Sequence, residues 1–123
     1  MPTRQQVAQF LNEFKAALSL EFVRWLGRSA EGKAHLSGLN INRNQGIEHL
    51  HALTPDNYCK GPEPDDFEST RDVWVFGSDV GGTETYIKLA LQPDPRKRNV
   101  THAWIWSFHA AEYPMQYPLK ESS

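Results

Sequence analysis

The stretch Val100–Pro118, VTHAWIWSFHAAEYPMQYP, largely decides how this chain folds, because it joins a strong strand pattern to an irregular ending. Residues 103–108 are β-branched, aromatic or small, which suits the half-buried surface of a sheet. A two-residue period predicts that one face carries three large aromatic side chains, Trp104, Trp106 and Phe108. The opposite face then carries smaller or polar residues, Ala103, Ile105, Ser107 and His109.

His109 comes where this strand is expected to leave the sheet, since Pro114 and Pro118 supply no donor to continue the ladder. An imidazole changes its charge near neutral pH, so a histidine at a strand end is a reasonable group for acid–base chemistry. A lone histidine at a strand end is more often a surface residue or a hydrogen-bonded structural one. Both interpretations stay open at this point.

The composition describes an ordinary soluble protein with one domain. A length of 123 residues suffices for a hydrophobic core, and we expect residues 1–123 to form a single domain. With 13 basic and 15 acidic residues the formal net charge is -2. That balance argues against binding nucleic acid through bulk charge alone, but it permits a local basic patch.

The sequence also limits the redox chemistry and the location that we expect. Cys59 is the sole cysteine, which excludes an intramolecular disulfide and an all-cysteine metal site. The amino terminus lacks the apolar run of a signal peptide, and there is no apolar stretch of about 18 residues that could span a bilayer. We therefore expect a cytoplasmic protein without membrane contact.

The first half of the chain has mainly helical patterns. Thr3 and Gln6 form a capping-box pattern, and apolar residues follow at helical spacing as far as Leu18. Further elements are predicted in order: a strand over 22–26, a helix over 30–39, a helix capped by Asn42 or Asn44, and a turn at Thr54-Pro55. We expect this helical part to occupy about residues 3–58.

The second half has strand patterns over about residues 71–118. We predict an irregular stretch from Gly61 to Asp72, a strand from Asp72 to Phe76 that stops at Gly77, and a second strand, 84–91, after the glycine turn 81–82. The fold class is therefore α+β, an antiparallel sheet with N-terminal helices packed on one face. In the second strand four residues are expected to face the helices, Thr85, Ile87, Leu89 and Leu91, while Tyr86 and Lys88 lie on the open side.

Four short motifs occur in an order that resembles the MqsR family of bacterial toxins from type II toxin–antitoxin systems: Tyr58-Cys59-Lys60-Gly61-Pro62, Asp72-Val73-Trp74, Tyr86-Ile87-Lys88-Leu89 and Ser107-Phe108-His109. The resemblance covers roughly the carboxy-terminal two thirds of the chain. It implies a RelE-like fold and cleavage of messenger RNA without a metal or other cofactor. It also implies a cognate antitoxin that carries the DNA-binding portion, so no direct sequence-specific DNA binding is expected of this chain.

The resemblance extends to four candidate catalytic residues. Lys60 and Tyr86 match the family in residue type, whereas Arg71 and His109 stand where the family prototype has a glutamine and a lysine. As a hypothesis, Lys60 and Arg71 hold the phosphate, His109 supplies an acid or base, and Tyr86 is a hydrogen-bonding partner.

Lys88 and the basic loop Arg96, Lys97 and Arg98 are candidate contacts to the RNA, although basic residues in a turn are often simply solvated. Two alternatives to a nuclease remain open from the sequence. One is a catalytically inactive relative that binds a protein or RNA, which the two substituted site positions favour. The other is an unrelated domain in which the short motifs are coincidental.

Overall fold

A computed structural model describes residues 1–26, 39–64 and 71–121. In these residues it has two helices and five strands: α1 Arg4–Ser19, β1 Val23–Trp25, α2 Arg43–His51, β2 Tyr58–Pro64, β3 Asp72–Val80, β4 Thr83–Pro93 and β5 Thr101–Ala110. The strand order is β1-β5-β4-β3-β2. Strands β2 to β5 pair antiparallel, and β1 pairs parallel to β5. The predicted α+β class is confirmed, with a mixed sheet in place of a wholly antiparallel one.

The amino-terminal helix begins as the sequence predicts. The hydroxyl of Thr3 accepts from the Gln6 amide at 3.1 Å, and the Gln6 side chain accepts from the Thr3 amide at 2.9 Å. The apolar stripe of α1 is buried: Val7, Phe10, Leu11, Phe14, Ala17 and Leu18. This stripe covers the side of the sheet that we call the core face.

The second helix and the turn after it also begin at predicted caps. Asn42 forms a capping box with Gln45, and Thr54 caps a 3₁₀ turn, Pro55–Asn57, whose first residue is the predicted proline. Leu50 of α2 is fully buried. The helix predicted over 30–39 lies almost wholly outside the described residues.

The β3–β4 hairpin confirms the glycine turn and corrects the end of β3. Gly81 and Gly82 both have positive φ, 60° and 87°, as the tight hairpin turn requires. The prediction that a strand stops at Gly77 is wrong, because β3 continues to Val80. Gly77 pairs with Tyr86 inside the ladder, and its missing side chain leaves room for the ring of Tyr117, as described below.

The predicted faces of β5 are wrong beyond Ile105. Lys88 pairs with Ser107 while Leu89 pairs with Ile105, so Trp106 is an extra residue in β5. A β-bulge of this kind reverses the alternation of side chains that follow it. The core face therefore receives Ala103, Ile105 and Phe108, which are all buried. Trp104 and His109 share the opposite face, which we call the open face.

Strand β2 corrects the prediction that the chain becomes irregular at Gly61. Residues 58–64 pair with β3 despite containing two prolines, and the register shifts twice along the pair. Prolines and shifts of this kind are tolerated at the edge of a sheet, where one side of the strand needs no partner.

The predicted faces of β4 are consistent with the burial, since Thr85, Ile87 and Leu89 are fully buried. In the part of the chain that is described, no helix is long and apolar enough to cross a membrane.

Candidate functional site

Three of the four candidate catalytic residues meet on the open face of the sheet. Lys60 comes from β2, Tyr86 from β4 and His109 from β5, and together they line one cleft of about 460 Å³. The register brings them together: Tyr86 pairs with His109 on one side and with Gly77 on the other, while Lys60 pairs with the neighbouring Val75. The bulge at Trp106 is what turns His109 toward this face.

Tyr86 and His109 form the centre of the cleft. Their rings are stacked, with centroids 5.3 Å apart and planes inclined by 19°. Directly opposed residues on antiparallel strands have close Cβ atoms, so this contact follows from the pairing of β4 with β5. His109 is 8% exposed, which limits its motion and its contact with solvent.

The hydrogen bond of His109 fixes which of its nitrogens can act on a substrate. Nδ1 lies 2.8 Å from the carbonyl oxygen of Ala110. A carbonyl oxygen can only accept, so Nδ1 carries the proton and donates it. In the neutral imidazole Nε2 is then the nitrogen with a free lone pair. His109 is thus arranged as a proton acceptor through Nε2.

Tyr86 is arranged as a proton donor. Burial raises the pKa of its hydroxyl above the ordinary value, an effect that Lys60 opposes and that Glu63 and Cys59 reinforce. The hydroxyl is therefore protonated at neutral pH. It can donate a hydrogen bond, or a proton, to an oxygen that gains negative charge in the cleft.

Cys59, which also lines the cleft, is not a nucleophile in this environment. Burial and the nearby Glu84 carboxylate raise the pKa of its thiol to about 12. The thiolate is the reactive form of cysteine, so the thiol is inert near neutral pH. Its Sγ lies 3.7 Å from the carbonyl oxygen of Asn57, a contact that suits a protonated thiol.

Lys60 supplies the positive charge of the cleft. Its side chain is 59% exposed, and Nζ lies 3.7 Å from the Glu63 carboxylate. An exposed ion pair at this distance contributes little energy, so an arriving phosphate can displace Glu63 at small cost. The ammonium can then lie against the bound phosphate as a point charge.

The cleft is also lined by a segment after β5 to which the sequence assigned no role. The five residues Ala111–Met115, which we call the C-terminal arch, line the cleft opposite the strands. The Ala111 amide donates to the backbone carbonyl of Glu84 at 2.8 Å, and the Met115 amide donates to Oε1 of the same residue at 2.9 Å. One residue at the start of β4 thus holds both ends of the arch.

The chain after the arch is fastened to β3, β4 and α1. The Tyr117 hydroxyl donates to Oε2 of Glu84 at 2.9 Å, and burial, together with this carboxylate, raises the pKa of Tyr117. A Cβ placed on Gly77 would lie 2.8 Å from Cε1 of Tyr117, so the ring rests directly on the glycine. Arg4 then binds the carbonyl of Leu119 and pairs with Glu121.

Arg71 does not lie in the cleft. Its guanidinium stacks on Trp104, with Cζ 4.3 Å from the ring centroid, and its Nε donates to Oε1 of Gln92 at 2.7 Å. Trp104 pairs with Ala90, four residues along β4 from Tyr86, which corresponds to about 13 Å at the rise of a strand. Arg71 therefore belongs to a separate cluster on the open face, in which Cζ of Arg24 also lies 5.5 Å from the Trp104 ring.

The remaining basic candidates lie outside the cleft. Lys88 is on the open face of β4 between Tyr86 and Ala90, and it pairs with Ser107. The loop residues Arg96, Lys97 and Arg98 are exposed between β4 and β5, and Asp94 caps the first two of their amides. This loop follows the end of β4 that is farther from the cleft.

Comparisons of the chain with protein families, with curated proteins and with solved structures found no match.

Proposed function

We propose that the protein is a metal-independent endoribonuclease that cleaves single-stranded messenger RNA, as the resemblance to MqsR toxins implies. The observation that carries the proposal is the cleft itself: Lys60, Tyr86 and His109 lie far apart in the sequence and line one cavity. A cation, a proton donor and a proton acceptor are the three groups that cleavage by the ribose 2′-hydroxyl requires.

The roles follow from the geometry of each side chain. Nε2 of His109 accepts the proton of the 2′-hydroxyl, and the 2′-oxygen bonds to phosphorus as the bond from phosphorus to the 5′-oxygen breaks. The Tyr86 hydroxyl gives its proton to the departing 5′-oxygen, and the Lys60 ammonium stabilises the charge on the phosphorane. The products are a 2′,3′-cyclic phosphate and a free 5′-hydroxyl. Each positioned acid or base contributes roughly 10²–10⁴ to the rate.

Arg71 has a different role in this proposal from the phosphate-holding role inferred by resemblance. Because it stacks on Trp104 away from the cleft, it binds the RNA strand at a distance from the scissile phosphate. Lys88 lies between the two places on the same face. A strand of RNA can therefore run from the cleft past Lys88 to Trp104, where aromatic and guanidinium groups favour unpaired bases.

A second candidate function is an RNA-binding protein without nuclease activity. The observation that favours it is the cluster of Arg24, Arg71 and Trp104, which offers cations and an aromatic ring independently of the cleft. Both functions place the protein in the cytoplasm with RNA as a ligand. The toxin additionally requires a cognate antitoxin as its protein partner.

The test is bacterial growth after tightly induced expression of the chain. Wild type is compared with His109→Ala and Tyr86→Phe, each at the same soluble level. Arrest by wild type that either substitution relieves supports the toxin. As a matched control, Glu13→Ala removes an exposed charge from α1, on the core-face side of the sheet, and should leave the arrest unchanged. Normal growth with all forms contradicts the proposal and favours the binding protein.

A further inference from the structure

Tyr113 is an exposed aromatic residue that lines the cleft. Three large hydrophobic residues of the described chain are exposed, namely Met1, Leu20 and Tyr113, and Tyr113 is the aromatic one, with 79% of its surface accessible. It lies at the middle of the C-terminal arch and lines the cleft that contains His109. We infer that the arch is a nucleobase subsite in which the Tyr113 ring stacks on the base beside the scissile phosphate.

This inference rests on the proposed function, since it names the part of the RNA that the same cleft recognises. The arch is held in a way that suits such a role. Ala111 and Met115 are both anchored to Glu84, and Tyr113 is the central one of the three residues between these anchors. A ring whose backbone is fixed on both sides loses little conformational freedom when a base binds to it.

The cleft combines apolar surface with charged groups. Pro114 and Met115 of the arch and Val75 of β3 supply apolar surface. Lys60, which pairs with Val75, supplies positive charge, and Glu112 of the arch adds a carboxylate. A nucleotide has the same two parts, a flat ring that stacks on apolar and aromatic groups and an anionic phosphate. A cleft of about 460 Å³ is within the range of sites for small ligands.

The subsite also requires an unpaired base. A base within a duplex is stacked on its neighbours and cannot place its face against a protein side chain without leaving the helix. Single-stranded RNA offers such faces freely, and stacking on an aromatic ring tolerates different bases. The Tyr113 subsite thus accounts for a preference for single strands without any contact that reads sequence.

The test measures binding apart from cleavage. A fluorescein-labelled, 12-nucleotide single-stranded RNA with 2′-O-methyl riboses cannot be cut, because the attacking hydroxyl is blocked. Its affinity is measured by anisotropy for wild type, Tyr113→Ala, Tyr113→Phe and Leu20→Ala. Leu20→Ala is the matched control, because it truncates another exposed apolar side chain, 64% accessible. We expect Tyr113→Ala to weaken binding roughly 5- to 150-fold, as for one lost base stack, while the other two variants bind like wild type.

A second oligomer in which abasic residues replace the nucleotides tests the chemistry of the contact. It keeps the phosphates but has no ring to stack, so Tyr113→Ala and wild type should bind it equally. Equal affinity of Tyr113→Ala and wild type for the intact oligomer, an equal loss on the abasic one, or no binding of the intact oligomer by wild type overturns the inference. Binding with the expected pattern but without cleavage of ordinary RNA leaves the subsite in place and refutes the nuclease.

Discussion

Replacing Gly77 with alanine tests how the chain after β5 is held against the sheet. The new Cβ would lie 2.8 Å from Cε1 and 2.9 Å from Cζ of Tyr117, distances shorter than Cβ atoms adopt in packed proteins. The backbone of β3 is extended at Gly77, so alanine fits the backbone conformation there, and its only conflict is the one with the Tyr117 ring. The ring must move away and lose its hydrogen bond to Glu84. Overpacking and a lost bond to a carboxylate each cost on the order of 1–3 kcal/mol, and since a displaced ring relieves the overpacking we expect a loss of about 2 kcal/mol.

The measurement is a double-mutant cycle by urea denaturation, with Gly77→Ala, Tyr117→Ala and the pair. Once Tyr117 is truncated, the alanine Cβ has space. Gly77→Ala should then be neutral or stabilising by roughly 0.5 kcal/mol, because alanine restricts the unfolded chain. The destabilisation by Gly77→Ala thus disappears when Tyr117 is truncated, and the coupling between the two substitutions exceeds about 1 kcal/mol. In thermal scans Gly77→Ala alone should lower Tm by roughly 4 °C per kcal/mol lost.

Two results would show that Gly77 and Tyr117 are not coupled in this way. If Gly77→Ala is as stable as wild type, the ring of Tyr117 does not rest on Gly77. If Gly77→Ala costs the same with Tyr117 present or truncated, the cost arises within β3 and the tail is not involved. The slope of unfolding against urea must stay constant across the four proteins, because a change in slope signals a changed unfolded state.

Three further predictions follow from the titrating and charged groups. The thiol of Cys59 has a pKa of about 12 in the folded protein, against an ordinary 9.0, so in the folded protein it should react with a thiol reagent at pH 8 roughly a thousandfold more slowly than in the protein unfolded in urea. Equal rates in the folded and unfolded protein contradict its burial. Burial raises the pKa of Tyr58, Tyr86 and Tyr117, so unfolded tyrosines ionise first above pH ~10 and stability should fall as pH rises from there; an unchanged urea midpoint between pH 9 and 10.5 contradicts this. Arg71→Ala should raise KM for RNA and leave kcat within about twofold, whereas an equal loss in kcat would place Arg71 in the chemistry.

The elements that the sequence predicted well are those with local signals. The caps at Thr3, Asn42 and Thr54 are side-chain bonds to amides two or three residues away, so their patterns can be read along the chain. The turn at Gly81 and Gly82 is a local signal of the same kind.

The errors in the fold concern features that depend on partners distant in sequence. Gly77 continues a strand because it pairs with Tyr86 in the ladder, and Tyr117 fills the space that its missing side chain leaves. Nothing near Gly77 in the sequence indicates the contact with Tyr117. The extra residue Trp106 is detectable only from the register with β4, because its own composition is ideal for a strand. The parallel pairing of β1 with β5 likewise joins Val23 to Ala103, 80 residues apart.

The site was predictable in part. The resemblance named three residues that lie together in the cleft, Lys60, Tyr86 and His109. Periodicity alone placed His109 on the wrong face of β5, the face of the buried Ile105. The arch was missed because its anchors are backbone amides bonded to Glu84, a residue 31 positions from Met115. The available signal in the sequence was the pair of prolines after the strand, Pro114 and Pro118, because proline restricts the backbone and supplies no donor to a sheet.

The most direct test of the proposed nuclease is cleavage of a single-stranded RNA by the purified protein, followed by analysis of the new ends. We expect a 2′,3′-cyclic phosphate and a 5′-hydroxyl in the presence of a chelator, with the rate reduced roughly 10²–10⁴-fold in His109→Ala. An unchanged rate in His109→Ala would remove the histidine from the chemistry, and new ends of another kind, or activity that the chelator abolishes, would exclude this reaction.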